Sequence, residues 1–186
     1  ARHILLDPVM VATSGAKLID DDAITALTER LFPLAEVITP NIPETEVLLD
    51  LIAHRGASLD PAKWAEDTDR ESTRIVSDTA MEDAGRTVSE HYGCAVLVKG
   101  GHGVADTSDL LYADGVATWI HGVRVDNPNT HGTGCTLSSA IASNLAKGET
   151  LPDAIRHAKD YLTGALGAQL NLGHGSGPMD HAWHWR

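Results

Sequence analysis

A thiol, an imidazole and two glycines share one turn of this chain, in the run NPNTHGTGCT over 127–136. Gly132 and Gly134 carry no Cβ to hold a ligand off the backbone, and glycine enters positive φ without penalty, so successive N–H groups there can converge on one point. Beyond them Leu137, Ala140, Ile141, Asn144 and Leu145 recur at the spacing of one helical face, and Lys147 and Gly148 supply a stop. The positive end of that helix therefore falls at Thr133 to Cys135, where a phosphate or a developing oxyanion is favoured by unpaired amides and the helix dipole. Glycine turns before helices are common. This one is distinguished by His131 and Cys135 within it, and it lacks the lysine and spacing of a P-loop.

Three other places put chemically useful residues just after a strand-like run. Asp7 ends the apolar segment ARHILLD, and reads either as a ligand of a magnesium shell or as a loop carboxylate capping the next turn. Asn41 and Glu44 follow EVIT (36–39), one helical turn apart. They can face a cation and its waters together, or form a capping box at a helix start, and the two roles are compatible. Lys99 precedes Gly100 and Gly101 after the run AVLV (95–98), where an ammonium can reach a phosphate as a point charge, or simply extend into solvent from a turn.

The elements that must position these residues alternate. Strand-like runs at 1–7, 36–39 and 95–98 are separated by helical patterns, the first opened by Asp20, Asp21 and Asp22 with Ile24, Leu27, Thr28 and Leu31 on one face, and a later one over 78–91 with Met81, Ala84 and Val88 inward. The run at 1–7, ended by Pro8, has the pattern of a buried parallel strand. LLYA and VATWIH flank Asp114 and Gly115, a hairpin signal that predicts an antiparallel edge. Thr150 and Asp153 open a last helix carrying Ile155, Ala158, Leu162, Ala165, Leu166 and Leu170. Residues 50–76 are polar, acidic and without period, and read as a surface insertion with a helical turn near 61–65, tacked down by Trp64. The tail, with His174, His181 and His184 among its tryptophans, reads as packing rather than as a metal site.

The chain of 186 residues carries a formal net charge of −12. No cationic cluster offers a footprint for nucleic acid. No apolar run reaches the length of a membrane span, and two cysteines make no disulfide framework, which together favour the cytoplasm.

The run HGTGCTLSSAIASNLAKG resembles the C-terminal signature of the hydroxymethylpyrimidine/phosphomethylpyrimidine kinases, the thiamine-pathway branch of the ribokinase-like superfamily. DPVMVATSG (7–15), VITPNIPETEVLL (37–49), VLVKGGHG (96–103), DLLYADG (109–115), GHGSGP (173–178) and the Trp/His-rich end resemble the same family in the same order. The resemblance implies one three-layer ribokinase-like domain with a mainly parallel central sheet, matched over its C-terminal portion and without the family's early βα units. It implies phosphoryl transfer from MgATP to 4-amino-5-hydroxymethyl-2-methylpyrimidine and then to its monophosphate, and a homodimer as the candidate assembly.

In that frame Lys99, Asn41, Thr133 and His131 contact the nucleotide, Val9 lies against the pyrimidine, and Glu44 and Asp7 serve magnesium. Sugar kinases of the superfamily place an aspartate where this chain has Cys135. The resemblance thus makes Cys135 the base, its thiolate favoured by the helix start, with the amides of Gly132 to Cys135 holding the transferring group. Two other readings stand beside it: a pyridoxal/pyridoxine kinase, and a catalytically incomplete nucleotide-binding module.

Overall fold

The computed structural model describes residues 3–11, 17–53, 73–100, 107–127, 131–170, 172 and 177–185. Strands β1 (Leu5–Leu6), β2 (Val37–Ile38) and β3 (Ala95–Val98) lie parallel and side by side, and β4 (Asp109–Ala113) and β5 (Val116–Ile120) extend the sheet antiparallel, in the order β1-β2-β3-β4-β5. Helix α1 (Asp21–Ala26) crosses from β1 to β2, while α2 (Ile42–Ala53) and α3 (Asp78–Tyr92) lie between β2 and β3 in the chain. Helices α4 (Thr133–Ala146) and α5 (Leu151–Gly167) follow the hairpin.

The strands are apolar on both faces, and their residues divide by parity between two cores. Ile38, Val96, Val98 and Leu110 pack with Val47 and Leu48 of α2 and Met81 and Val88 of α3. Val37, Leu97 and Leu111 pack on the opposite face with Leu137, Ile141 and Leu145 of α4 and Ala154, Ile155 and Ala158 of α5. Helices therefore cover both faces of one sheet, the three-layer α/β arrangement that the family resemblance implies.

Local signals account for the boundaries. Ser77 caps α3 by accepting from the Ala80 amide at 3.1 Å, and Gly93 ends it in the left-handed region. Asp114 and Gly115 both hold positive φ, 52° and 77°, as a type I′ hairpin turn requires. One helix departs from its predicted face. After Ala26 the chain widens into a π turn over Leu27–Leu31, which rotates Leu31 out to 46% exposure while Ile24 and Thr28 stay buried.

Helix α2 continues to Ala53, so the first residues of the predicted 50–76 insertion are helical, and at its far end the Ile75 amide donates to Glu46 Oε1 at 2.9 Å. Residues 54–72, with the predicted turn near 61–65 and Trp64, lie outside the described residues, as does His174. The tail packs against α5: the Trp183 indole sits where a Cβ on Gly164 would fall, 2.2 Å from its Cζ2, and Tyr161 donates to the His181 carbonyl at 2.9 Å.

Candidate active site

The parallel strands end together, and the chain leaving each carboxyl end delivers polar side chains. After β1 comes Asp7, after β2 come Thr39 and Asn41, and after β3 comes Lys99. Backbone bonds run past the strand ends and hold these exits in register. The Thr39 amide donates to the Leu6 carbonyl at 3.0 Å, and the Lys99 amide to the Pro40 carbonyl at 2.8 Å. Lys99 is thereby bridged in parallel with Asn41.

On this frame the Lys99 ammonium donates to Asp7 Oδ1 at 2.7 Å, and the Thr39 hydroxyl donates to the same oxygen at 3.1 Å. Both charged side chains are largely buried, at 14% and 13% exposure, so the pair is formed under reduced dielectric. Asn41 and Glu44 build a reciprocal cap at the start of α2. The Glu44 amide donates to Asn41 Oδ1 and the Asn41 amide to Glu44 Oε2, each at 2.8 Å. The other carboxylate oxygen of Glu44 accepts the Met10 amide at 3.3 Å, which ties the turn after β1 to α2. Burial pushes the Glu44 carboxyl above its ordinary range; the Asn41 amide and the Lys99 ammonium pull it back, and the Asp7 carboxylate adds to the rise.

The fourth component arrives from α4. Gly132 stands at its N-cap with φ 82°, the left-handed conformation that a glycine enters most readily, and offers no side-chain oxygen to the first-turn amides. No acidic residue occupies that first turn. Gly134 faces the ion pair: a Cβ there would lie 3.6 Å from Lys99 Nζ and 3.8 Å from Asp7 Oδ2. The bare backbone of a helix start is thus set against a lysine and an aspartate at the ends of two parallel strands, which is where ligands gather in open α/β sheets.

The structure therefore brings together Asp7, Asn41, Glu44, Lys99, Gly132 and Gly134 of the predicted set. Cys135 and His131 are exposed and Thr133 is partly buried, all on or beside the first turn of α4. Val9 is 48% exposed beside Met10. Among the described residues no group of three or more His, Cys, Asp or Glu side chains gathers as a metal cluster. The other cysteine, Cys94, is buried, and its thiol is pushed up to about 11 by that burial, which keeps it protonated and outside the chemistry. Sequence reasoning missed Thr39, whose position at the end of EVIT was its only signal, and the Met10 amide, which no side-chain pattern can announce.

The description "Phosphomethylpyrimidine kinase" belongs to the family whose model matches residues 1–180. The chain belongs to that family. A hydroxymethylpyrimidine/phosphomethylpyrimidine kinase of Haemophilus influenzae is 38% identical over 183 residues, which cover 96% of this chain and 60% of that protein. Among solved structures, the phosphomethylpyrimidine kinase of Clostridium difficile 630 has a TM-score of 0.62 at 30% identity, covering 87% of this chain and 56% of that one. The pyridoxal kinase of Bacillus subtilis, solved as an ADP complex, has a TM-score of 0.75 at 28% identity, covering 99% and 62%. The chain thus spans about 60% of the length of these phosphomethylpyrimidine kinase relatives, and its fold is the ribokinase-like one they share. Among the described residues no helix is long and apolar enough to cross a membrane.

Proposed function

We propose that this chain carries the phosphoryl-transfer centre of an ATP-dependent kinase that phosphorylates 4-amino-5-hydroxymethyl-2-methylpyrimidine and then its monophosphate in thiamine diphosphate synthesis. The observation that supports this reading is the approach of Gly134, in the first turn of α4, to the Lys99–Asp7 pair. Transfer in line between two oxygens asks a protein chiefly for positioning and charge neutralisation. The first-turn amides of α4 hold the transferring group, Lys99 meets the nucleotide phosphates, and Asn41, whose Oδ1 is occupied by the Glu44 amide, turns its NH₂ group to them. His131 and Thr133 flank the same turn and contact the nucleotide. Cys135, exposed on the third residue of α4, takes the proton of the attacking hydroxyl, and Val9 lies against the pyrimidine ring.

The donor set fits magnesium held mainly by phosphates and water. Asp7 accepts Lys99 and Thr39 on one oxygen, Oδ1, and the two oxygens of Glu44 each accept an amide, so both carboxylates keep lone pairs for a cation or its waters. When bound, the ion neutralises charge on the phosphates.

The pyridoxal kinase reading draws on the Bacillus subtilis neighbour. Steady-state rates of the full polypeptide on the pyrimidine alcohol and on pyridoxal separate the two, and higher kcat/KM on the pyrimidine is the expected result. In the same assay Cys135→Ala is expected to lower kcat by about 10²-fold or more while leaving nucleotide affinity near wild type. An unchanged kcat removes Cys135 from the role of base. The proposal puts the enzyme in the cytoplasm as a homodimer of single-domain subunits, and light scattering on the full polypeptide checks the assembly.

A further inference from the structure

One buried ion pair plays no part in the site described above. The Lys159 ammonium of α5 donates to Asp109 Oδ2 at 2.6 Å and to the Thr107 carbonyl at 2.9 Å, and the two side chains are 11% and 8% exposed. The other oxygen of Asp109 accepts the Gly100 amide at 2.8 Å. Gly100 is the residue after Lys99, and it is wedged: a Cβ there would lie 1.9 Å from the Ser108 carbonyl oxygen.

The backbone explains why a side chain is needed at this point. The β3–β4 ladder ends at Val98 and Leu110, and the backbone of Asp109 is engaged with Ile120 on β5. Beyond that ladder the Gly100 amide has the Asp109 carboxylate as its acceptor. The consecutive amides of Lys99 and Gly100 therefore point to opposite neighbours, one to Pro40 on the β2 side and one to Asp109 on the β4 side. They stretch that peptide across the end of the sheet. A buried pair of opposite charges is a poor device for stability, since desolvation of both groups offsets most of their attraction. What it supplies here is a fixed acceptor at a fixed height.

We infer that Asp109 and Lys159 are positioning residues that set the Lys99–Gly100 peptide, and through it the Lys99 ammonium, for a nucleotide phosphate. This rests on the kinase reading above. Asp109 is the acceptor, and Lys159 neutralises it and ties its turn to α5 through the Thr107 carbonyl. Neither touches the reacting atoms.

Two double variants of the full polypeptide separate anchoring from charge. Asp109→Asn with Lys159→Gln removes both charges but keeps a carbonyl oxygen for the Gly100 amide. Asp109→Leu with Lys159→Met fills the same space with apolar groups and leaves that amide without an acceptor. Asp109→Ser with Lys159→Met, too short to reach Gly100, carries the same readouts if the leucine variant does not fold. Gly100 amide exchange is followed by NMR, ADP affinity by calorimetry with magnesium present, and KM separately for ATP and for the alcohol. The apolar variant is expected to speed Gly100 exchange and to weaken ADP binding and raise KM for ATP, each by about tenfold, with KM for the alcohol unchanged. The Asn/Gln variant is expected to stay within about twofold of wild type. Wild-type exchange or wild-type ADP affinity in the apolar variant overturns the inference, as does an Asn/Gln variant impaired as severely. A wild-type protein that binds no ADP overturns the kinase reading instead, and the exchange result then still decides the anchor.

Discussion

Lys99 and Asp7, 92 residues apart in sequence, meet at 2.7 Å where strands β3 and β1 end, and the backbone of Gly134 stands beside both. The pair neutralises itself in the absence of a ligand, and an arriving phosphate competes with Asp7 for the ammonium. Lys99→Met should therefore lower kcat/KM for ATP by about 10²-fold, the scale seen when one preorganised donor is removed. It should also cost about 1–3 kcal/mol of stability, less than the loss of a partner from a fully buried pair, because Thr39 still donates to Asp7. Steady-state kinetics and urea unfolding measure the two, and a lysine that served only as a surface charge would move neither.

Glu44 makes stability depend on pH in a definite sense. Its folded carboxyl is raised above the ordinary value of 4.5, chiefly by burial, so the folded state binds its proton more tightly than the unfolded chain. Below 4.5 both states are protonated and the group contributes nothing. As pH rises from 4.5 through the raised folded value, stability falls, and above that value the cost of burying the charge is complete. Glu44→Gln removes this dependence, but it turns an NH₂ group toward the Met10 or the Asn41 amide, a mismatch of about 1–3 kcal/mol at every pH. Wild type should thus exceed the variant most at pH 4, with the margin shrinking toward neutrality. A margin that stays flat in urea titrations across this range contradicts the raised carboxyl.

The parts of this molecule announced by the sequence are those with local causes. The Gly132 turn, the Asn41–Glu44 cap and the Asp114–Gly115 hairpin each follow from residues within four positions of one another, where backbone sterics and side-chain reach decide the outcome. The Asn41–Glu44 pair also shows why two readings stayed open, since the cap is formed and spare lone pairs remain. Asp109 was invisible as a site residue because it looks like the first residue of a strand, and its partners Gly100 and Lys159 are 9 and 50 residues away. The exposure of Leu31 was equally hidden, because a π turn shifts the helical period and leaves no compositional mark.

Gly134 and Gly132 should separate function from stability. Gly134 lies within α4 outside the left-handed region, so alanine there is expected to stabilise the helix by up to about 1 kcal/mol. Its methyl would rest at ordinary contact distance from Lys99 and Asp7 and fill the space that a phosphate needs. Gly134→Ala should therefore raise or preserve the melting temperature while weakening ADP binding by about tenfold or more. Gly132→Ala meets a φ of 82° and should cost about 1–2 kcal/mol. If Gly134→Ala bound ADP as wild type does, the first turn of α4 would not be the phosphate site.

The tail supports the same turn from behind. Met179 is buried with its Cε 3.8 Å from where a Cβ of Gly132 would be, and the Asp180 amide donates to the Ala165 carbonyl of α5 at 3.1 Å. Three residues on, the Trp183 indole lies flush on Gly164, with no room for a methyl group. Gly164→Ala should dislodge the indole and cost about 1–3 kcal/mol, the range for overpacking a close contact. Among the described residues the buried Trp183 ring nitrogen has no hydrogen-bond partner, so Trp183→Phe removes an unpaired donor along with some contact area and should cost less than Gly164→Ala. Because the tail reaches the glycine turn through Met179, Gly164→Ala should also weaken ADP binding, whereas Trp183→Phe should leave it within about twofold. Thermal unfolding and calorimetry on the two variants decide it: equal losses of stability would mean that the indole is not wedged against α5.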